Sequence, residues 1–335
     1  MTSVSFVIPT LNCAVSLLKC LQSIKKQTFT NYSILIIDGG SVDNTLKIAQ
    51  EFNCQIYSNP FKTAEAGKAI GLKKVRSEFI ALIDSDNILP SKNWLSKMMF
   101  PFKDLKIIGS EPIAFTYRKT GGYIERYSAL IGANDPFAYI SGISDRINYI
   151  DYQWTHLQLP QENFSSYIKI KLTTPSTLPT LGANGTIFRT AFLKKYFSGS
   201  YFFDIDLISQ ALTKNQKPLF FAKVKSSIIH TYCESSIKKF VRKQDRRLRD
   251  YFTHQKQRSF DYSTNFNLKI IHFSLYSLLI IPSLIDSIRG YLHKPDIAWF
   301  FHPIACFITF WLYFYITILR IFRVNLTLSR NKWQQ

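Results

Sequence analysis

The chain has 335 residues, 46% hydrophobic and 19% charged, enough for two ordinary domains and too apolar for a disordered tail. Its formal net charge of +20 calls for an anionic partner: nucleic acid, a membrane surface or a phosphorylated substrate. The five cysteines (Cys13, Cys20, Cys54, Cys233, Cys306) form no CxxC pair, which argues against a disulfide-stapled secreted domain and for a reduced, cytosolic setting.

The N-terminal "MTSVSFVIPT" lacks a basic region followed by an apolar core, so no signal peptide is expected. "VSFVIPTL" (4–11) reads as a buried strand and "AVSLLKCLQSIKKQ" (14–27) as an amphipathic helix. A strand is expected at 32–38, a capped helix at 41–52, a short strand at 54–59, a helix from about 66 to 76, and a strand at 79–84. This alternation predicts an α/β fold with a mainly parallel sheet flanked by helices. Ligands of such sheets collect beyond the C-terminal ends of the strands, where Asp38, Asp84 and Asp86 fall. In "EFIALIDSDN" two acids end an apolar run. Ionised groups do not stay inside unpaired, so the pair faces a crevice, binds a cation, or caps the helix of "SKNWLSKMM", a duty that suits Ser91 better.

From about 110 to 179 the periodicity weakens, and an irregular insert over the sheet is expected, with helical character returning at 181–195 and 204–215. One or two strands are expected at 219–230. Residues 236–258 interleave aromatic and aliphatic side chains with nine Lys and Arg, a pattern for an amphipathic helix on an anionic surface. Residues 297–319 carry no charge over 23 positions, enough for a membrane span of roughly 20. The shorter run 270–285, with His272 and Pro282, spans, re-enters or lies in the interface. Basic residues Arg320, Arg323, Arg330 and Lys332 follow, which favours membrane association over a buried helical pair.

Four of these segments, in order, resemble the inverting family 2 glycosyltransferases of the GT-A fold. They are "SFVIPTLN", "IIDGGSVDNT", "ALIDSDN" (the DxD motif), and "LGANGTIFR" followed by "FFDIDL". The resemblance covers about 1–235. It implies a nucleotide-sugar-binding half at 1–110 and an acceptor and catalytic half at 111–235. A basic segment at 236–262 and a membrane-associated helical region at 263–335 follow.

The resemblance further implies that Pro9, Thr10 and Asp38 lie at the donor, with Gly39 where relatives often carry a second acid. Asp86 would bind Mg²⁺ or Mn²⁺, and Asp84 the ribose or a metal-bound water. A hard cation suits this role because it prefers oxygen ligands and keeps positions for phosphate. Asp204 falls where relatives have the catalytic base of a Glu-Asp pair, although Phe203 replaces the Glu; Asp206 is the rival. His230 falls near the metal, and Lys68 where relatives carry Arg toward the diphosphate. Arg247, in "QDRRL", falls within a variant of the QxxRW motif whose Trp is Leu248, which argues against long-chain synthesis.

The expected partners are a nucleotide sugar, UDP-linked by preference, a lipid-linked or envelope-glycan acceptor, and a membrane with the catalytic domain on its cytoplasmic side. No nucleic-acid module is recognised. Two alternatives stay open. One is a nucleotidyltransferase, although "PTLNCAVS" lacks that class's glycine-rich loop. The other is a basic membrane scaffold with a decayed catalytic domain.

Overall fold

A computed structural model describes residues 2–182, 184–260 and 267–326. The chain divides into two compact units, Met1–Ile113 with Gln158–His230, and Ala114–Leu157 with Thr231–Gln335. The first unit opens with β1 (Val4–Thr10), α1 (Ala14–Lys25), β2 (Tyr32–Asp38), α2 (Thr45–Glu51), β3 (Gln55–Ser58), α3 (Ala64–Lys74) and β4 (Phe79–Leu82). Next come β5 (Asn87–Ile88), α4 (Trp94–Met99) and β6 (Ile107–Phe115). The second unit then contributes α5 (Tyr123–Ile131) and α6 (Pro136–Ile140). The chain returns through β7 (Gln161–Asn163), β8 (Tyr167–Leu172), β9 (Thr186–Arg189), α7 (Thr190–Tyr196), α8 (Asp204–Asn215) and β10 (Leu219–His230). It closes the second unit with α9 (Ile237–His254), α10 (Asn267–Leu279), α11 (Ile281–His293) and α12 (His302–Ile321).

Among the described residues one sheet runs β3-β2-β1-β4-β9-β6-β10-β8-β7, with β5 paired to β10. It is parallel across β3, β2, β1 and β4. Beyond β4 the pairings with β9, of β6 with β9, and among β10, β8 and β7 are antiparallel. All seven residues of β1 are buried, the pattern of a strand covered on both faces. On α1 the buried positions Leu17, Cys20, Leu21 and Ile24 recur at helical spacing. α3 lies close on β1 because Gly71 has no side chain: a Cβ there would stand 2.3 Å from Val7 Cγ1.

The expected alternation over the first 84 residues is present, with shifted boundaries. α2 starts at Thr45 because residues before it are spent on turns: Asp43 Oδ1 accepts from Thr45 N, and Ser41 donates to Asp38. The expectation of an irregular segment from 110 is corrected in part, since β6 is a regular nine-residue strand in the sheet. Helix at 181–195 is likewise corrected. Thr186–Arg189 is a strand between β4 and β6, and the helix begins only at Thr190. A short apolar run does not distinguish strand from helix by period; here pairing on both sides decides.

In the second unit Tyr127, Ile131, Phe240, Trp299 and Phe301 belong to one buried cluster. The basic segment forms α9, capped by Ser236, whose side chain accepts from Lys239 N. The 270–285 run is two helices bent by 81°, with the break at Ile280 (φ 59°). Pro282, two residues on, cannot support continuation of the preceding helix. Ile297–Ile321 is, among the described residues, the one unbroken helical stretch long and apolar enough to cross a membrane by length and composition. Arg330 and Lys332 lie outside the described residues.

Candidate active site

β2, β1 and β4 are parallel neighbours, so Asp38, Thr10 and the turn after Leu82 emerge along one edge of the sheet. Asp38 is buried there and accepts four hydrogen bonds. Thr10 Oγ1 (2.8 Å) and Ser41 Oγ (2.6 Å) donate to Oδ1, while Gly40 N (2.8 Å) and Ser41 N (2.7 Å) donate to Oδ2. A carboxylate offers about four lone-pair directions, so the side chain of Asp38 is occupied in building the turn. Pro9 and Thr10 are buried beside it. Asn12, with φ 48°, accepts from Val42 N through Oδ1, and its buried Nδ2 has no hydrogen-bond partner. Sequence reasoning passed over this residue; Asn just after a strand reads only as a turn former.

The two acids after β4 sit in a turn closed by Asn87. Its Oδ1 accepts from Asp84 N (3.0 Å), its own N donates to Asp84 O (2.9 Å), and its Nδ2 donates to Asn184 Oδ1 (3.1 Å). β5 then pairs with the end of β10, placing His230 opposite Asn87. This pairing brings His230 Nε2 to 3.3 Å from Asp86 Oδ1. Neither acid caps α4, whose N-cap residue is Asn93. Ser85, between them, hydrogen-bonds the Cys13 thiol, and burial raises that thiol's pKa.

Lys68, buried on α3, places Nζ 3.9 Å from Asp84 Oδ1 and 3.6 Å from Asp204 Oδ2. Burial opposes its charge, but Asp204, Asp84 and Glu65 together hold its pKa above the ordinary lysine range. Asp204 opens α8 after Phe203, which lacks a capping side chain. Burial pushes the Asp204 carboxyl up to about 7; Lys68 opposes this, while Asp84 and Glu65 add to it. Its Oδ1 is buried without a hydrogen-bond partner. Asp206, the rival, is buried at 3% exposure, so Asp204 is the acid presented at the helix start.

Two supports fix Asp204. Gly182 (φ 114°) packs against it, and a Cβ there would lie 2.4 Å from Asp204 Cβ. Gly182 N in turn donates to Glu111 Oε2 (3.3 Å), which also accepts from Thr186, while Lys223 donates to Glu111 Oε1 (2.6 Å). The second support is Glu65, which accepts from Phe202 N through its backbone and from Tyr201 Oη through its carboxylate.

Among the described residues no group of three or more His, Cys, Asp or Glu is arranged to hold a metal. The Asp86–His230 pair nevertheless fits a cation completed by substrate. Two neighbouring ligands of an octahedral ion at 2.0–2.1 Å stand about 3 Å apart, and Mg²⁺-type sites use one or two protein ligands plus phosphates and water. Asp86 Oδ1 and His230 Nε2 are 3.3 Å apart.

Arg247 belongs to the second unit. Its Nη1 lies 3.2 Å from Asp135 Oδ2 and donates to Gln244 Oε1 (2.6 Å). The Gln and Arg of the QxxR variant therefore hold each other one turn apart on α9.

The family model described as glycosyl transferase family 2 matches residues 5–197, more than half of the chain. Over 136 residues the chain is 27% identical to glycosyltransferase AglE of Haloferax volcanii, covering 38% of this chain and 44% of that protein. Over 92 residues it is 32% identical to glycosyltransferase GlyG of Streptococcus pneumoniae, covering 26% of this chain and 31% of that one. The chain thus spans less than half the length of these curated relatives. Its fold is similar to that of mannosyltransferase PcManGT from Pyrobaculum calidifontis, solved in complex with GDP-Man and Mn²⁺. The TM-score is 0.54 at 11% identity, covering 93% of this chain and 87% of that one. The family match runs from β1 through α7 and takes in the parallel strand ends and the turn that carries Asp84 and Asp86: the chain belongs to glycosyl transferase family 2.

Proposed function

We propose that the protein is a metal-dependent, inverting glycosyltransferase that moves one sugar from a nucleotide donor to a lipid-linked or envelope-glycan acceptor at a membrane. The observation that carries this reading is Lys68 within 4 Å of both Asp84 and Asp204, in the same unit as the Asp86–His230 pair. The donor is a nucleoside-diphosphate sugar, with uridine the first base to test. Asp38 orders the donor-side turn, and Thr10 and the unsatisfied Asn12 amide contribute beside it. Asp86 and His230 hold the cation, which when bound offsets negative charge on the departing diphosphate. Asp84 takes the ribose or a metal-bound water, and Lys68 adds a fixed positive charge for the diphosphate. Asp204 accepts the proton of the acceptor hydroxyl opposite the leaving group. Arg247 adds an anion contact for diphosphate or lipid headgroup.

Membrane association is supported by the apolar helix at Ile297–Ile321 and the +20 net charge. The cytoplasmic side is supported by five free cysteines and by the use of a nucleotide sugar.

Calorimetry tests the reading. UDP and GDP sugars are titrated with and without Mn²⁺ into the wild type and Asp86→Asn. Mn²⁺-dependent binding in the wild type, lost in a variant of unchanged melting temperature, is expected. Equal metal-dependent binding in the variant, or no nucleotide binding at all, overturns it.

A further inference from the structure

We infer that the apolar C-terminal helices anchor the protein in one leaflet of an anionic bilayer, with α10 and α11 as a re-entrant wedge and α12 lying along the interface rather than crossing. This rests on the membrane association proposed above.

The first observation is what accompanies α12. α9 packs beside it and runs in the same chain direction. Phe240 meets Phe301, just before α12, with ring centroids 5.4 Å apart. Gln244 Oε1 lies 3.5 Å from Tyr313 Oη. Arg320, in the last turn of α12, sits 4.3 Å over the Phe252 ring and donates to Gln255 Oε1 (2.6 Å). α9 carries seven Lys and Arg and two Asp between Lys238 and Asp250. If α12 crossed the hydrocarbon, this helix would have to cross with it, and charged side chains there are costly. At an interface the same pairing is favourable. The basic helix meets anionic headgroups while the stripe Ile304, Phe307, Trp311 and Phe314, exposed at helical spacing, meets acyl chains.

The second observation is the bent pair. α10 and α11 have 13 residues each, about 20 Å per arm. With arms equally inclined, the 81° bend gives a wedge about 13 Å deep. Half of a ~30 Å hydrocarbon core is about 15 Å, so the apex stops near the midplane. That apex is apolar and open, with Leu279 61% and Ile281 66% exposed. No Lys, Arg, Asp or Glu occurs from Ile270 to Ile285, while Lys269 precedes the run and Asp286, Arg289 and Lys294 follow it. Both ends of the wedge thus suit the headgroup layer of the same leaflet. The angle is held by chemistry, since Tyr276 Oη donates to Asp286 Oδ2 (2.7 Å) across the bend and lies 2.9 Å from His302 Nε2 of α12.

The test uses the full chain in bacterial membranes. Single cysteines are introduced at two exposed positions, Pro295→Cys, before α12, and Val324→Cys, after it. Each is labelled with an impermeant maleimide in spheroplasts and in inverted vesicles, and read above the wild-type background. Both on the same face is the expected result; opposite faces mean that α12 crosses and overturn the inference. Leu279→Asp should lower the membrane-pelleted fraction at least tenfold, and wild-type pelleting of that variant also overturns it. A wild type that never pellets removes the membrane reading itself. If that wild type also sediments as a homodimer, the apolar stripe is an interface between copies. Neither result touches the nucleotide-binding experiment above, so the donor reading stands or falls separately.

Discussion

Asp38 and Asp204 are both acids of the sheet-bearing unit, and their surroundings are opposite. Every lone-pair direction of Asp38 is filled, by two hydroxyls and two backbone amides. Asp204 has a buried oxygen with no donor, an ammonium 3.6 Å from the other oxygen, and a pKa pushed up to about 7 by burial. Withdrawal from water leaves the Asp204 carboxylate with proton affinity near neutrality. The first arrangement builds a turn. The second is what proton removal from a hydroxyl needs, because a general base works best with a pKa near the operating pH.

The largest expected effect separates these roles by kinetics. On the glycosyl-transfer reading Asp204→Asn should lower kcat by about 10²–10⁴-fold with donor affinity within about twofold of wild type. Stopped assays with calorimetry check this. Near-normal turnover would mean that the acceptor oxygen is already ionised, as in a polyprenyl phosphate, and needs no base.

Asp38→Ala should act on the fold instead. It leaves two backbone amides and two hydroxyls at the turn without their acceptor, and hydrogen bonds to charged groups are worth about 1.5–3 kcal/mol each. Because the four share one group and do not add, a loss of about 2–4 kcal/mol is expected. Urea unfolding should show a lower midpoint at unchanged m-value. Equal destabilisation by Asp204→Asn would erase the distinction between the two acids.

Gly182→Ala should give a smaller and mixed effect. The added Cβ would stand 2.4 Å from Asp204 Cβ, at a backbone φ of 114° that only glycine adopts freely. On the same glycosyl-transfer reading, displacing Asp204 costs rate, since a shift of about 1 Å can cost up to roughly 10²-fold. A kcat lowered by about 10–10²-fold with unchanged donor binding is expected; an unaltered kcat would show that Asp204 is not held by this contact.

How far the sequence reveals these sites depends on how local their causes are. The parallel strands were legible because each is an apolar run between helix-period segments. The place of Asp84 and Asp86 in a turn at the end of a buried strand was legible because ionised groups do not stay inside unpaired. β9 was not, since Thr186–Arg189 becomes a strand only by pairing with β4 and β6. The Glu111–Lys223 pair, 112 residues apart, was invisible for the same reason: one polar residue in an apolar run has no local signature of its partner. Asp38 carries a subtler lesson. Its position at a strand end was legible, but the occupancy of its carboxylate depends on Thr10, 28 residues earlier.

The smallest effect tests the electrostatics around Asp204 by sign. On the glycosyl-transfer reading the free enzyme holds Asp204 ionised to accept a proton, so kcat/KM should fall as pH falls through about 7. Lys68 favours the anion, so Lys68→Met should move the midpoint of that fall to higher pH, whereas Glu65 opposes it and Glu65→Gln should move the midpoint lower. Profiles at fixed Mn²⁺ read the midpoint apart from any loss in the plateau. The same group gives a stability signature in chelator. Its folded pKa lies above the unfolded value of about 3.9, so its contribution is fully present below that value and is lost as pH rises through about 7. Asp204→Asn cannot ionise, and its stability relative to wild type should therefore rise between about pH 4 and 7 and level off above. A difference independent of pH would place Asp204 in an ordinary solvated setting, and the contrast with Asp38 would rest on hydrogen bonding alone.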